Sequence, residues 1–208
     1  MKRLTIPFLF IFYIITLLNF NKSDTYIICI DPGHGGMDTG TTVSNINESD
    51  LVLEISLQLV KVLNQKGYIT TLTRTTKESL CEDKFIKKED MNNRLKIISN
   101  SSADIVLSIH LNYYHDNRYS GAQVFYSNTN LKSKDLAKHI QQSMPFTTRN
   151  EVYRDNIYLL NRTTVPACII ECGFMSNEIE LAKLQDLKYQ INLCESISYG
   201  LTKFIQVL

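Results

Sequence analysis

The hydrophobic pattern changes period several times along the chain, and each change marks an element. Residues 4–20 are uncharged and apolar on all sides. Tyr26-Ile27-Ile28-Cys29-Ile30 is a second apolar run, ending at Asp31-Pro32-Gly33, as a strand buried on both faces does. An irregular polar loop follows to Asn47. Leu51, Ile55, Leu59, Val62 and Leu63 then recur at helical spacing, and Gly67 marks the end of that helix. Residues 68–73 are rich in β-formers, whereas residues 76–90 are charged and loop-like. Met91, Leu95 and Ile98 mark another helix, followed by strands over residues 103–110 and 121–126. Leu136, Ile140 and Met144 stripe a helix that stops before Pro145. Residues 167–171 form a short strand after Pro166, and residues 177–207 are mostly helical, with Leu181, Leu184, Leu193, Ile197 and Leu201 facing a core. Strands separated by helices predict an α/β fold. Its sheet is mostly parallel and twisted, with helices on both faces, in a single domain over residues 26–208 after the N-terminal apolar helix.

Composition bears mainly on that first segment. The 208 residues carry a formal charge of +1, but Lys2, Arg3 and Lys22 against Asp24 put +2 in residues 1–25 and leave −1 in the remainder. The near-neutral domain lacks the basic excess of a nucleic-acid binder, and 44% apolar residues exclude a disordered acidic chain. As a helix the run at residues 4–20 would span ~26 Å, between a signal-peptide core and a short membrane span. Lys2 and Arg3 favour leaving the N-terminus in the cytoplasm and exporting the rest. Residues 1–25 are therefore expected to be a signal peptide or a membrane anchor. Phe20-Asn21-Lys22-Ser23-Asp24 offers no small-residue cleavage site and favours the anchor. Cys29, Cys81, Cys168, Cys172 and Cys194 form an odd set with no CxxC pair, read as free structural thiols, with a single disulfide as the alternative.

Candidate chemistry lies at strand ends and helix starts, where α/β sheets build sites. His34 follows the first strand in Asp31-Pro32-Gly33-His34-Gly35-Gly36, and Glu48 precedes the helix that starts near Leu51. His110 ends the strand in Ser108-Ile109-His110-Leu111-Asn112, and Glu171 ends the strand in Ile169-Ile170-Glu171-Cys172-Gly173-Phe174. Two histidines and a carboxylate can bind zinc and leave a position for water. Spacing by itself leaves other readings open: turn or core histidines, and a first-turn helix charge at Glu48. Glu171 is harder to place otherwise, because a carboxylate on a buried strand is costly unless it is paired or functional. The glycine loop lacks the third glycine of a dinucleotide motif, and no GxxxxGK[ST] or GxSxG is present.

Together these segments resemble the zinc-dependent N-acetylmuramoyl-L-alanine amidases of the amidase 3 family. The match runs in order through most of residues 26–206. It takes in Asp31 to Gly36 with Asp38 and Gly40, Glu48, Leu51-Val52-Leu53, Leu72-Thr73-Arg74, Asn93-Arg94-Leu95, Ala103-Asp104, Ser108-Ile109-His110 with Asn112, Gly121, and Pro166 before Ile170 to Asn177. The resemblance implies that His34, Glu48 and His110 hold one Zn²⁺ and that Glu171 is the catalytic glutamate. Ser49 stands where the family often has Lys, and Glu54, two turns into the helix, is a poor substitute ligand. Asn112 is expected to orient substrate, His115 to lie on a cleft loop facing substrate, and His139 to be solvated on a polar helix face.

The implied reaction is hydrolysis of the amide between N-acetylmuramic acid and L-alanine of peptidoglycan. Zinc would bring the pKa of its water towards ~7, and Glu171 would carry the proton to the leaving amine. The short leader and Lys87-Lys88-Glu89-Asp90-Met91 resemble germination-specific cortex amidases, which act in muramic-δ-lactam formation. No wall-binding repeat is expected after the domain. The expected partners are peptidoglycan glycan strands with stem peptides, and the membrane through the leader, with no nucleic acid. The expected place is extracytoplasmic, anchored or secreted into the forespore intermembrane and cortex space. A general autolysin, a different exported zinc peptidase and a non-catalytic wall-binding protein are the alternatives.

Overall fold

The computed structural model describes residues 25–81, 84–145 and 149–208. The chain enters through β1 (Ile27–Pro32), a small hairpin of β2 (Thr42–Val43) and β3 (Ile46–Asn47), and helix α1 (Glu48–Gln65). Next come β4 (Ile69–Leu72), α2 (Lys87–Asn100) and β5 (Ile105–Asn112). β6 (Gln123–Tyr126), α3 (Ser133–Ser143), β7 (Val152–Tyr153) and a 3₁₀ turn at Leu160–Arg162 follow. β8 (Ala167–Phe174), α4 (Glu178–Leu184) and α5 (Leu187–Ile205) complete the domain. Six strands form one sheet in the order β4-β1-β5-β8-β6-β7. All neighbouring pairs are parallel except β6 with β8, so the mostly parallel sheet is as expected.

Strand side chains alternate between faces, and here both faces are covered. Ile28, Ile30, Leu107, Ile109, Leu111, Ile170 and Cys172 join the larger core with α1, α3 and α5. Cys29, Val106, Ala167 and Ile169 join a smaller cluster with Ile98 of α2, Leu159 and Leu160. By the same alternation Asp31, Ser108, His110 and Glu171 belong to the face of the smaller cluster. The polar residues that interrupt the apolar runs therefore converge on one side, at the carboxyl ends of β1, β5 and β8.

Element boundaries depart from the sequence pattern where main-chain capping outweighs hydrophobic periodicity. α1 begins at Glu48, three residues before the apolar stripe, because its first N–H groups find the Thr41 and Thr39 carbonyls at 2.8 and 3.0 Å. α2 begins at Lys87, inside the stretch expected to be loop. The helical tail is broken after Leu184. Asp186 restarts it by accepting the Tyr189 N–H at 2.8 Å, as a helix cap does. β2, β3 and β7 have two residues each, too few to show a period of two. Cys29, Cys168, Cys172 and Cys194 are buried, and all five cysteines are free.

Residues 1–24, with most of the proposed signal or anchor, lie outside the described residues. Among those described, no helix is long and apolar enough to cross a membrane.

Gly200 of α5 faces α3 so closely that a Cβ there would lie 2.6 Å from the Ile140 Cα and 2.7 Å from the His139 carbonyl oxygen. Gly200→Ala is expected to force the helices apart and cost about 1–3 kcal/mol in denaturant unfolding. An unchanged midpoint would contradict this packing.

Candidate metal centre

Each candidate ligand is held by a different backbone device. After β1 the Gly33 N–H still bonds to the Ile109 carbonyl at 2.9 Å, and the chain then turns sharply. His34, Gly35 and Gly36 all have positive φ, at 60°, 140° and 58°. Glycine adopts such angles freely, whereas a side chain at His34 makes its residue strained. Gly33 has a second role, since a Cβ there would overlap the His110 ring. Gly40, with φ 63°, passes so near that a Cβ would lie 2.6 Å from Glu48 Oε2 and 2.8 Å from His34 Cδ2. These glycines let backbone approach all three side chains.

The three side chains meet. Glu48 Oε1 lies 3.2 Å from His34 Nε2 and 3.2 Å from His110 Nδ1. One ligand atom from each residue lies within 4.8 Å of the others. Tetrahedral zinc with bonds of ~2.0–2.2 Å separates its ligand atoms by roughly 3.3–3.5 Å, so this donor set fits such an ion in size and in chemistry. Glu48 is anchored independently, accepting the Leu111 N–H on Oε1 at 3.1 Å and the Thr41 N–H on Oε2 at 3.0 Å. The His34 and His110 rings meet edge to face, 5.0 Å between centroids.

Charges reinforce the cluster. Burial would raise the Glu48 pKa, but the His110 and His34 imidazoles outweigh it and hold the carboxyl far below the usual range. Burial would depress His34, yet Glu48 and Asp38 together raise it. Asp38 Oδ1 lies 3.0 Å from His34 Nδ1, on the ring edge away from Glu48. Such a partner orients a ligating imidazole and fixes its tautomer. Sequence reading placed Asp38 in the glycine motif without a role. Its signal was the i+4 spacing from His34, which is meaningful only once the loop geometry is known.

Glu171 stands directly beside the candidate ligands. It is the cross-strand partner of His110 on β5 and of Gln123 on β6. Its Oε2 is buried and has no hydrogen-bond partner among the described residues. Burial pushes its pKa up to about 7, with His110 and His34 opposing and Glu48 assisting. A cavity of about 150 Å³ opens beside the two imidazoles, walled in part by Lys87, Met91, Tyr158 and Ile169. A larger open groove of about 780 Å³ between α4 and α5 shares no residue with the cluster.

The remaining candidates sit around this centre or away from it. Asn112 ends β5, and its Oδ1 accepts the Tyr113 N–H at 2.8 Å. Exposed His115 packs on Tyr114, 4.2 Å between ring centroids. Glu54 is exposed on α1 and takes no part in the cluster. His139 is half-buried rather than simply solvated, with Nδ1 2.8 Å from the Asp135 carbonyl oxygen and its ring near Phe204.

This geometry agrees with sequence comparison. The family profile described as N-acetylmuramoyl-L-alanine amidase matches residues 28–203. The chain belongs to the N-acetylmuramoyl-L-alanine amidase family. As a member it is a peptidoglycan amidase, hydrolysing the amide between N-acetylmuramic acid and L-alanine. The germination-specific N-acetylmuramoyl-L-alanine amidase of Bacillus subtilis is 34% identical over 86% of this chain and 79% of its own length. The N-acetylmuramoyl-L-alanine amidase LytC of Bacillus subtilis is 27% identical over 85% of this chain, which spans only 35% of that relative. Among solved structures, the CwlD amidase from Clostridioides difficile, in complex with the GerS lipoprotein, is 36% identical. It has a TM-score of 0.82 and covers 88% of this chain and 100% of its own. The N-acetylmuramoyl-L-alanine amidase from Clostridium difficile 630 is 33% identical with a TM-score of 0.75, over 88% and 98%.

The amidase's Glu171 generates a prediction about the metal-free protein. A carboxyl whose pKa is raised on folding binds more protons in the native state, so its contribution to stability falls as pH rises through about 4.5 to 7. Glu171→Gln removes that penalty. The metal-free variant should gain about 1–3 kcal/mol over wild type at pH 8 and little at pH 4 in urea unfolding. A gain independent of pH would contradict the burial argument.

Proposed function

We propose that His34, Glu48 and His110 bind one Zn²⁺, that Glu171 carries the proton, and that the substrate is spore-cortex peptidoglycan. The observation that supports this most directly is the pairing of a compact His-Glu-His set with an unpartnered, buried carboxyl oxygen one strand away. A zinc ion bound by such ligands supplies a positive charge that acidifies water to a pKa of ~7 and polarises a carbonyl. Glu171 Oε2 then accepts the proton of the attacking water and passes it to the alanine nitrogen as the C–N bond breaks. The products are a free lactyl carboxylate on muramic acid and a peptide with a new L-alanine amino terminus. Asn112, at the rim of β5, is assigned to orienting the substrate through its side-chain amide.

The cortex assignment, with muramic-δ-lactam formation as its outcome, rests on similarity to the germination-specific enzyme over most of both chains. Activity is placed outside the cytoplasm, with residues 1–25 as the exporting leader or anchor. The lipoprotein complex of the CwlD neighbour supports a lipoprotein partner for this chain too.

Digestion of purified cortex peptidoglycan, with zinc content measured in parallel, tests the reading. Wild type should release peptides with L-alanine amino termini and stop when a chelator strips the metal. Glu171→Ala should retain zinc and lose roughly 10²–10⁴-fold in rate, whereas His34→Ala should lose both. New ends within the stem peptide would instead identify a peptidase, and near-normal turnover by Glu171→Ala would overturn its role.

A further inference from the structure

Two motifs of the sequence, Leu72-Thr73-Arg74 and Asn93-Arg94-Leu95, have no part in the chemistry above. Their arginines are almost completely buried, Arg74 at 4% exposure and Arg94 at 2%. Both guanidiniums face the turn that carries His34. The Pro32 carbonyl accepts from Arg74 Nε at 3.1 Å and from Arg94 Nη1 at 2.6 Å. The Gly33 carbonyl accepts from Arg74 Nη2 at 2.7 Å, and the His34 carbonyl accepts from Arg94 Nη2. Three consecutive carbonyls are thus gripped by two planar forks. Arg74 Nη2 also reaches the Ser49 carbonyl at 2.8 Å, directly after the ligand Glu48.

Buried charge of this kind is not an economical way to gain stability. Arg94 is neutralised by Asp31 and Asp90 at 2.8 and 2.7 Å, and well-packed apolar residues often stabilise a fold as much as such a network does. What apolar residues cannot do is fix the direction of carbonyl groups in a turn whose histidine has φ 60°. His110 also rests on this turn, through Gly33. His34 and His110 are therefore indexed to the same three residues of backbone, and Glu48 is tied to them through the Arg74 bond to the Ser49 carbonyl.

We propose that Arg74 and Arg94 are positioning residues that set the geometry of the metal site through the Pro32-Gly33-His34 carbonyls, without touching metal or substrate. The proposal rests on the zinc reading above. If wild type binds no zinc, that reading fails first; if wild type binds zinc and the arginine variants bind it equally well, the positioning role fails and the zinc reading stands.

Arg74→Lys in the full chain is the deciding variant, because the bonds described for Arg74 all go to main-chain carbonyls, including Thr76 at 2.9 Å. Lysine keeps the charge but not the fork. Zinc affinity by chelator competition should fall at least tenfold, the visible spectrum of the cobalt-substituted protein should change, and the metal-free protein should remain folded. Arg94→Lys should weaken zinc in the same way where it folds. Wild-type zinc affinity and cobalt spectrum in Arg74→Lys would overturn the proposal. So would a metal-free Arg74→Lys protein that is unfolded, since the guanidinium would then be required for the fold as a whole.

Discussion

The carboxylate of Glu48 sits between two imidazoles, 3.2 Å from each, and the surrounding backbone is arranged to keep it there. A buried carboxylate is costly unless its lone pairs are satisfied. Here Thr41 and Leu111 supply N–H donors from two different segments, and His34 and His110 supply the remaining contacts. The position of Glu48 at the first residue of α1 adds the favourable end of the helix dipole. One side chain thereby joins the glycine loop, α1 and β5. None of these could shift far without leaving a charge unpaired.

The sheet makes that junction possible. β1 lies between β4 and β5, so chain segments diverge from its carboxyl end and leave a crevice there, as open α/β sheets do where strand order reverses. The side-chain period of two then sends Asp31, Ser108, His110 and Glu171 to the same face. The opposite face is filled by α1, α3 and α5, which gives the strands a rigid apolar backing. Candidate site residues on rigid strands, with the His34 loop left irregular, limit how many positions must be held by special contacts. The His110–Glu171 register sets the place of Glu171 beside the candidate ligands through backbone hydrogen bonds rather than through side-chain packing, which suits the proton-carrying role proposed for it.

Much of this was visible along the chain. The apolar runs at β1, β5 and β8 identified the central strands, and the polar residues breaking them identified His110 and Glu171. Glycines at 33, 35, 36 and 40 marked a backbone under conformational demand. What escaped was set by main-chain contacts between distant segments. Glu48 begins its helix because Thr39 and Thr41 cap it. β7 exists because two residues reach the edge of β6. His139 is held by a carbonyl one turn back and by Phe204 of another helix, so a polar face in the sequence is half-buried in the fold.

The sequence by itself determined the α/β class, the order of the main elements and the four polar positions at strand ends and at one helix start, because burial imposes a period on side chains that any reader can follow. Its periodicity could not bring His34 and Glu48, fourteen positions apart, to a point shared with His110, which only the family resemblance implied, and it gave Asp38, Arg74 and Arg94 no place beside that point. Convergence of that kind depends on strand order and on the path of a glycine loop, neither of which leaves a local period. Only the folded backbone, in which carbonyls and N–H groups from separate segments satisfy one another, decided which of the polar residues would meet.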